Sequence, residues 1–188
     1  MFRNLYSFIK IKPALAVGFL FCCSSLLFGT WVASIPSVKE RLGFTDGTLG
    51  LSLLLAPLGA LTGVAISTIV FSKLSLGRLM SMGYILLAIV LILQVNAVNR
   101  VMLWACLYFF GVFNFLNGVS VNATVNLLEK KYNRRMMSTC HGMYSLGGGV
   151  STGLAVLFFS LHLGSGWQIV IVAMAITTVI LFNRKHLL

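Results

Sequence analysis

The chain is 188 residues long, 59% hydrophobic and only 9% charged, with a mean hydropathy of +0.98 and a net charge of +11. A soluble domain is about a quarter charged, so this composition excludes water as the main solvent. The basic residues sit between apolar blocks and do not interleave with aromatics on a polar surface, which excludes nucleic acid as a partner and marks them as orientation signals.

Arg3, Lys10 and Lys12 precede an apolar run from Ala14. The run continues past Trp31 to Ile35, too long for a cleaved signal core, and Cys22 follows Phe21, a poor lipoprotein cleavage context, so a retained first span is expected. A span needs about 20 mostly apolar residues. Six stretches qualify: Pro13–Ile35, Thr48–Ser72, Leu79–Val98, Val101–Leu128, Met136–Leu161 and Trp167–Phe182. Pro36 is expected to end the first, and Pro57 to kink the second near Gly59. The connections are short, so neighbours run antiparallel in one transmembrane domain covering 1–188, with no linker. Cys22, Cys23, Cys106 and Cys140 lie inside apolar blocks without metal-ligand spacing, and no cofactor or metal is expected.

Lysine and arginine counts orient the bundle. The N-terminus carries three, the second loop two (Lys73, Arg78), the fourth loop four (Lys130, Lys131, Arg134, Arg135) and the C-terminus two (Arg184, Lys185). The alternate side carries only Lys39, Arg41 and Arg100. The positive-inside rule then places both termini in the cytoplasm of an inner-membrane protein.

The spans also read as two triplets. Ser24, Ser25, Thr30 and Ser34 make the first polar, as Asn114, Asn117, Asn122 and Asn126 make the fourth. The second and fifth each carry small-xxx-small spacing, Gly59 with Gly63 and Gly149 with Gly153, a helix-packing signal. The third and sixth are the most uniformly apolar. An all-α six-helix bundle built as an inverted three-plus-three repeat is the expected architecture.

Candidate sites follow from polar groups that lipid does not solvate. His141, Tyr144, Ser145, Gly148 and Thr152 recur at helical spacing on the fifth span, and an ionisable residue inside a span is a functional-site hypothesis by default. The stripe admits a substrate or proton contact, or a histidine bonded to a neighbouring helix. Asn114, Asn117 and Asn122 admit contact with a polar solute or helix–helix bonding. Trp31 admits an interfacial anchor or a platform for a sugar-like ring. Lys73, Arg78, Glu129, Arg134 and Arg135 admit an inner gate or plain topology determinants. The spans hold no acid, so a proton relay would fall to His141 or to groups outside this chain.

Three stretches carry a family resemblance: FGTWVASIPSVKERLGFTDGTLG from Phe28, FSKLSLGR from Phe71, and NLLEKKYNRRMMSTCHGMYSLGGG from Asn126. The chain resembles the N-terminal half of a major facilitator superfamily transporter, close to the YbjJ-like group and more loosely the fucose-permease-like group. The resemblance implies twelve spans in two halves, with the first and fourth helices lining a central cavity, the third and sixth facing lipid, and a small polar solute moved by alternating access. Two departures stand out. The loop holding Lys73, Gly77 and Arg78 lacks the family's usual acid, and six spans stand where twelve are implied. A truncated frame, one half of a split gene and a self-associating half all fit, with the bilayer, a solute and a second six-helix bundle as partners. The alternatives are a non-transporting remnant or assembly protein, and an intramembrane enzyme using Ser145 with His141.

Overall fold

The computed structural model describes residues 8–163 and 165–187; the side chains of Ser165 and of 184–187 are outside the description, and so are the basic residues Arg3, Arg184 and Lys185 of the charge balance. From residue 12 onward the described residues form α1 (Lys12–Arg41), α2 (Asp46–Leu53), α3 (Leu55–Lys73), α4 (Leu76–Val95), α5 (Arg100–Tyr132), α6 (Met137–Ser160) and α7 (Ser165–Leu187). Counting α2 with α3, six helices are long and apolar enough to cross a membrane.

Local chemistry sets the ends. Thr45, Ser75 and Asn99 cap α2, α4 and α5 by accepting the amides of Thr48, Arg78 and Met102. Two boundaries differ from expectation. Helix α1 runs through Pro36 to Arg41, because Pro36 sits on an exposed side while the following turn anchors Val38 in the core. It ends instead at Gly43, whose φ of +62° suits glycine. The break in the second span falls at Leu54, before Pro57 rather than near Gly59. Proline lacks the amide that would bond the carbonyl four residues back, at Leu53, and its ring crowds that carbonyl.

Packing is symmetric in the way the two triplets anticipate. The most extensive contacts join α1 with α6, α3 with α5, α4 with α5, α4 with α7, and α1 with α7. Exchanging α1 with α5, α3 with α6 and α4 with α7 turns this set into itself. An inverted repeat produces that invariance, and helix polarity reinforces it at both principal crossings. At α3–α5, Tyr108 and Thr62 share hydroxyls at 2.7 Å, and next to it Trp104 Nε1 of α5 donates to Ser52 Oγ of α2 at 2.8 Å. At α1–α6, Ser151 Oγ donates to the Leu26 carbonyl at 3.3 Å, and Gln168 of α7 reaches the Ser151 carbonyl at 3.2 Å.

Glycines permit these crossings. A Cβ at Gly59 would fall 1.9 Å from the Tyr108 carbonyl oxygen, and one at Gly111 would fall 1.9 Å from that of Ala56. Gly63 likewise abuts Phe115 and Val112. Gly149 and Gly153, marked by their spacing as packing residues, make no close helix contact within this bundle. Both are exposed and a Cβ at either meets nothing; Gly147 is the close residue on α6, against the Cys22 backbone. The contact face of α6 is rotated from the one the small-residue spacing marks, and the Gly149 face is left unpaired.

Candidate functional site

Helices α1 and α5 touch each other little, and α5 touches α6 less. Between the three lies a hollow of about 270 Å³, lined by Phe21, Ser24 and Phe28 of α1, Asn114, Gly118, Val121 and Asn122 of α5, and His141 and Tyr144 of α6. It continues along α5 into a shallower groove that reaches Asn126. A Cβ at Gly118 would meet nothing, so this glycine keeps the floor open.

Each lining group is placed by its helix. Asn114, Gly118, Asn122 and Asn126 are four residues apart, which puts them on one face of α5. Asn122 Nδ2 donates to the Gly118 carbonyl at 2.7 Å and turns its Oδ1 outward from that bond. The His141 ring stands edge-on to Phe21, centroids 5.4 Å apart. Ser24 is held from behind by Tyr84 of α4, whose hydroxyl also donates to the Leu20 carbonyl at 2.9 Å. The wall combines two asparagine amides, a hydroxyl and an imidazole with the rings of Phe21, Phe28 and Tyr144. It holds no carboxylate, lysine or arginine, which suits hydrogen bonding and ring contact with a neutral molecule.

Four of the expected site residues therefore converge: Asn114, Asn122, His141 and Tyr144. Three do not. Asn117 is buried with its amide against Gly83 of α4, and its Nδ2 has no hydrogen-bond partner. It belongs to the α4–α5 contact. Trp31 is buried in the core and neither anchors an interface nor faces the hollow. Ser145 lies beside the cavity, and its hydroxyl donates to the His141 carbonyl at 3.2 Å, not to the imidazole, so the serine–histidine arrangement of a nucleophile is not formed. Phe21, Ser24, Phe28, Gly118 and Val121 are the residues that sequence reasoning missed as lining; Ser24 was visible as a polar residue in a span, the others had no signal.

In the last turn of α5, Glu129 acts as a brace on the start of α6. Its carboxylate accepts the amides of Met136 and, at 2.9 Å, Met137. Met136 has no side-chain cap of its own, so the carboxylate serves the positive end of α6. Those two amide bonds, Met136 first, lower the Glu129 pKa below its ordinary value, with Arg135 adding to the effect. Lys130, Arg134 and Arg135 surround a neighbouring groove, and they and Lys73 and Arg78 are exposed. Among the described residues the ion pair found lies on the other side, between Lys39 and Asp46.

No family model and no solved structure matches the chain. Three curated relatives do. It is 27% identical over 180 residues to an uncharacterized MFS-type transporter of Yersinia pestis, covering 95% of this chain and 46% of that protein. It is 32% identical to the membrane protein MosC of Rhizobium meliloti over 70% of this chain and 32% of that protein. To an uncharacterized transporter of Sinorhizobium fredii it is 30% identical over 70% of this chain and 34% of that protein. The chain spans about half the length, or less, of the curated relatives it matches.

Proposed function

We propose that this integral membrane bundle, a homologue of major facilitator superfamily transporters over a stretch the size of one of their halves, serves as half of a secondary transporter for a small polar solute. The observation that carries the reading is the convergence of Ser24, Asn114, Asn122 and His141 on one hollow inside helices that are otherwise apolar. Lipid does not solvate such groups, so water, solute or protein must meet them. Solute bound there would lie between this bundle and a second one, and rocking of the two would open the hollow to each side in turn.

The exposed polar face supports a second bundle. Asn114, Asn126, Ser145 and Thr152 are exposed, and the most apolar windows of α2–α3 and α6 are only 11% and 17% buried, against 56% for α1. A second six-helix half, in the same chain, another chain or another copy, would cover them. The basic residues around Lys73 and Lys130 support a topology with those loops, and with them both ends of the six-span bundle, on the cytoplasmic side of an inner membrane. His141 is the group on this wall suited to take up a proton if transport is proton-coupled.

Reconstitution of the full chain into proteoliposomes, exposure to a mixed pool of sugars, polyols and amino acids, and mass spectrometry of the contents test this. Accumulation of a solute that falls at least about tenfold in Asn122→Ala or His141→Ala, with normal insertion, is the expected result. No accumulation, or accumulation indifferent to both substitutions, contradicts the reading.

A further inference from the structure

Ser24 and Tyr84 form a device that fixes the hydrogen-bonding polarity of the cavity wall. Tyr84 is completely buried on α4, behind the wall that Ser24 lines. Tyr84 Oη lies 2.5 Å from Ser24 Oγ and 2.9 Å from the Leu20 carbonyl oxygen, and Ser24 Oγ lies 3.1 Å from the same carbonyl. Two hydroxyl protons therefore serve three oxygen–oxygen contacts. With both protons inside the triangle, two contacts are bridged. If Ser24 turned its proton into the cavity, only one would be, and two oxygen pairs would face each other bare in apolar surroundings, where an unmade hydrogen bond costs most. The Ser24 proton stays behind the wall, and the cavity sees an oxygen lone pair.

Asn122 is set the same way. The Gly118 carbonyl can only accept, so the amide end beside it at 2.7 Å is the nitrogen, and Oδ1 is the end left without a partner among the described residues. Neighbouring turns of α1 and α5 thus both offer acceptors, on a wall without a charged lysine, arginine or carboxylate. Resting on the reading of this hollow as the solute site, we infer that the wall recognises a neutral solute through the solute's own O–H or N–H donors. Tyr84 is the positioning residue that keeps Ser24 an acceptor. Solutes that only accept hydrogen bonds, such as carboxylates and sulfate, find no complement at Ser24 and Asn122.

The test uses the full chain in lipid nanodiscs at pH 8, above the usual titration range of histidine. Thermal unfolding is followed with D-glucose, D-galactose, D-xylose, D-mannitol and glycerol as donor-rich probes, and with acetate, nitrate and sulfate as acceptor-only probes. At least one polyol should raise the unfolding temperature saturably, with half-saturation shifted about tenfold upward by Ser24→Ala. The anions should give no saturable rise. Tyr84→Phe, which leaves the Leu20 carbonyl at 3.1 Å as the one partner holding the Ser24 proton behind the wall, should weaken the polyol and narrow its advantage over the anions, a change in ranking that a purely structural role would not produce. A saturable, Ser24-dependent rise with an anion overturns the inference, and so does the absence of any Ser24-dependent polyol effect. Ser24→Cys, similar in shape with a poor acceptor, replaces Ser24→Ala if that variant does not fold. Uptake of the binding polyol is scored separately: binding without uptake contradicts transport and leaves the recognition intact.

Discussion

Replacing Gly59 by alanine tests the packing that holds the cavity walls in place. The new Cβ would lie 1.9 Å from the Tyr108 carbonyl oxygen, where ordinary contact begins at 3.4 Å, so α3 and α5 must separate locally by about 1.5 Å. The obstacle is backbone and has no rotamer to yield. Overpacking of this kind costs about 1–3 kcal/mol, and the rigid partner puts Gly59→Ala near the upper end. Separation also stretches the Thr62–Tyr108 bond, worth about 0.6 kcal/mol inside a membrane. A loss of about 3 kcal/mol lowers the folded-to-unfolded ratio by roughly a hundredfold. Gly149→Ala is the matched control, because a Cβ there meets nothing. Its effect should stay within about 0.5 kcal/mol, or favour the helix slightly. Reversible unfolding in mixed micelles by detergent titration, read by tryptophan fluorescence, compares the two. Equal stabilities for Gly59→Ala and Gly149→Ala would refute the assignment of the contact faces.

Other outcomes follow from single residues. Glu129→Gln should weaken the start of α6 by about 0.5–1 kcal/mol, a small value because the carboxylate is mostly exposed and screened. The folded-state pKa of Glu129 is depressed, so the contribution is full well above its ordinary value of 4.5 and is lost as pH falls through the depressed one; the stability gap between wild type and Glu129→Gln should be flat around neutral pH and shrink as pH falls below 4.5. Gly118→Leu should fill the open floor of the hollow and reduce uptake at least about tenfold with stability little changed, because no neighbour lies where the side chain begins. Asn117→Leu, by contrast, removes an amide whose Nδ2 is already unpaired, and uptake should change less than with Asn122→Ala.

The sequence made the helices legible because hydropathy responds to the solvent, and the solvent is lipid for most of this chain. It also made the repeat legible through the polar residues of the first and fourth spans. Faces were another matter. Lipid tails and a protein interior are equally apolar, so spacing alone does not separate the buried side of α6 from its open side. Gly147 and Gly149 are alike in sequence, yet one lies against the Cys22 backbone and the other against nothing. Trp31 and Phe28 are one turn apart; the first is buried and the second lines the cavity. Asn117 and Asn114 differ by less than a turn and end on different sides of α5. Charge patterning located the Glu129 loop, while its bonds to the amides of α6 depend on a turn that includes Asn133 at φ 48°.

The central claim is that the polar hollow among α1, α5 and α6 is open to water within the membrane. Single cysteines at Asn114, Asn122 and Phe159, introduced after the four native cysteines are replaced, can be exposed in sealed vesicles to a charged, membrane-impermeant thiosulfonate. Labelling is expected at Asn114 and Asn122, slowed by a transported solute, with protection at Phe159, an exposed apolar position on α6. Labelling at Phe159 with protection at both asparagine positions would contradict that claim.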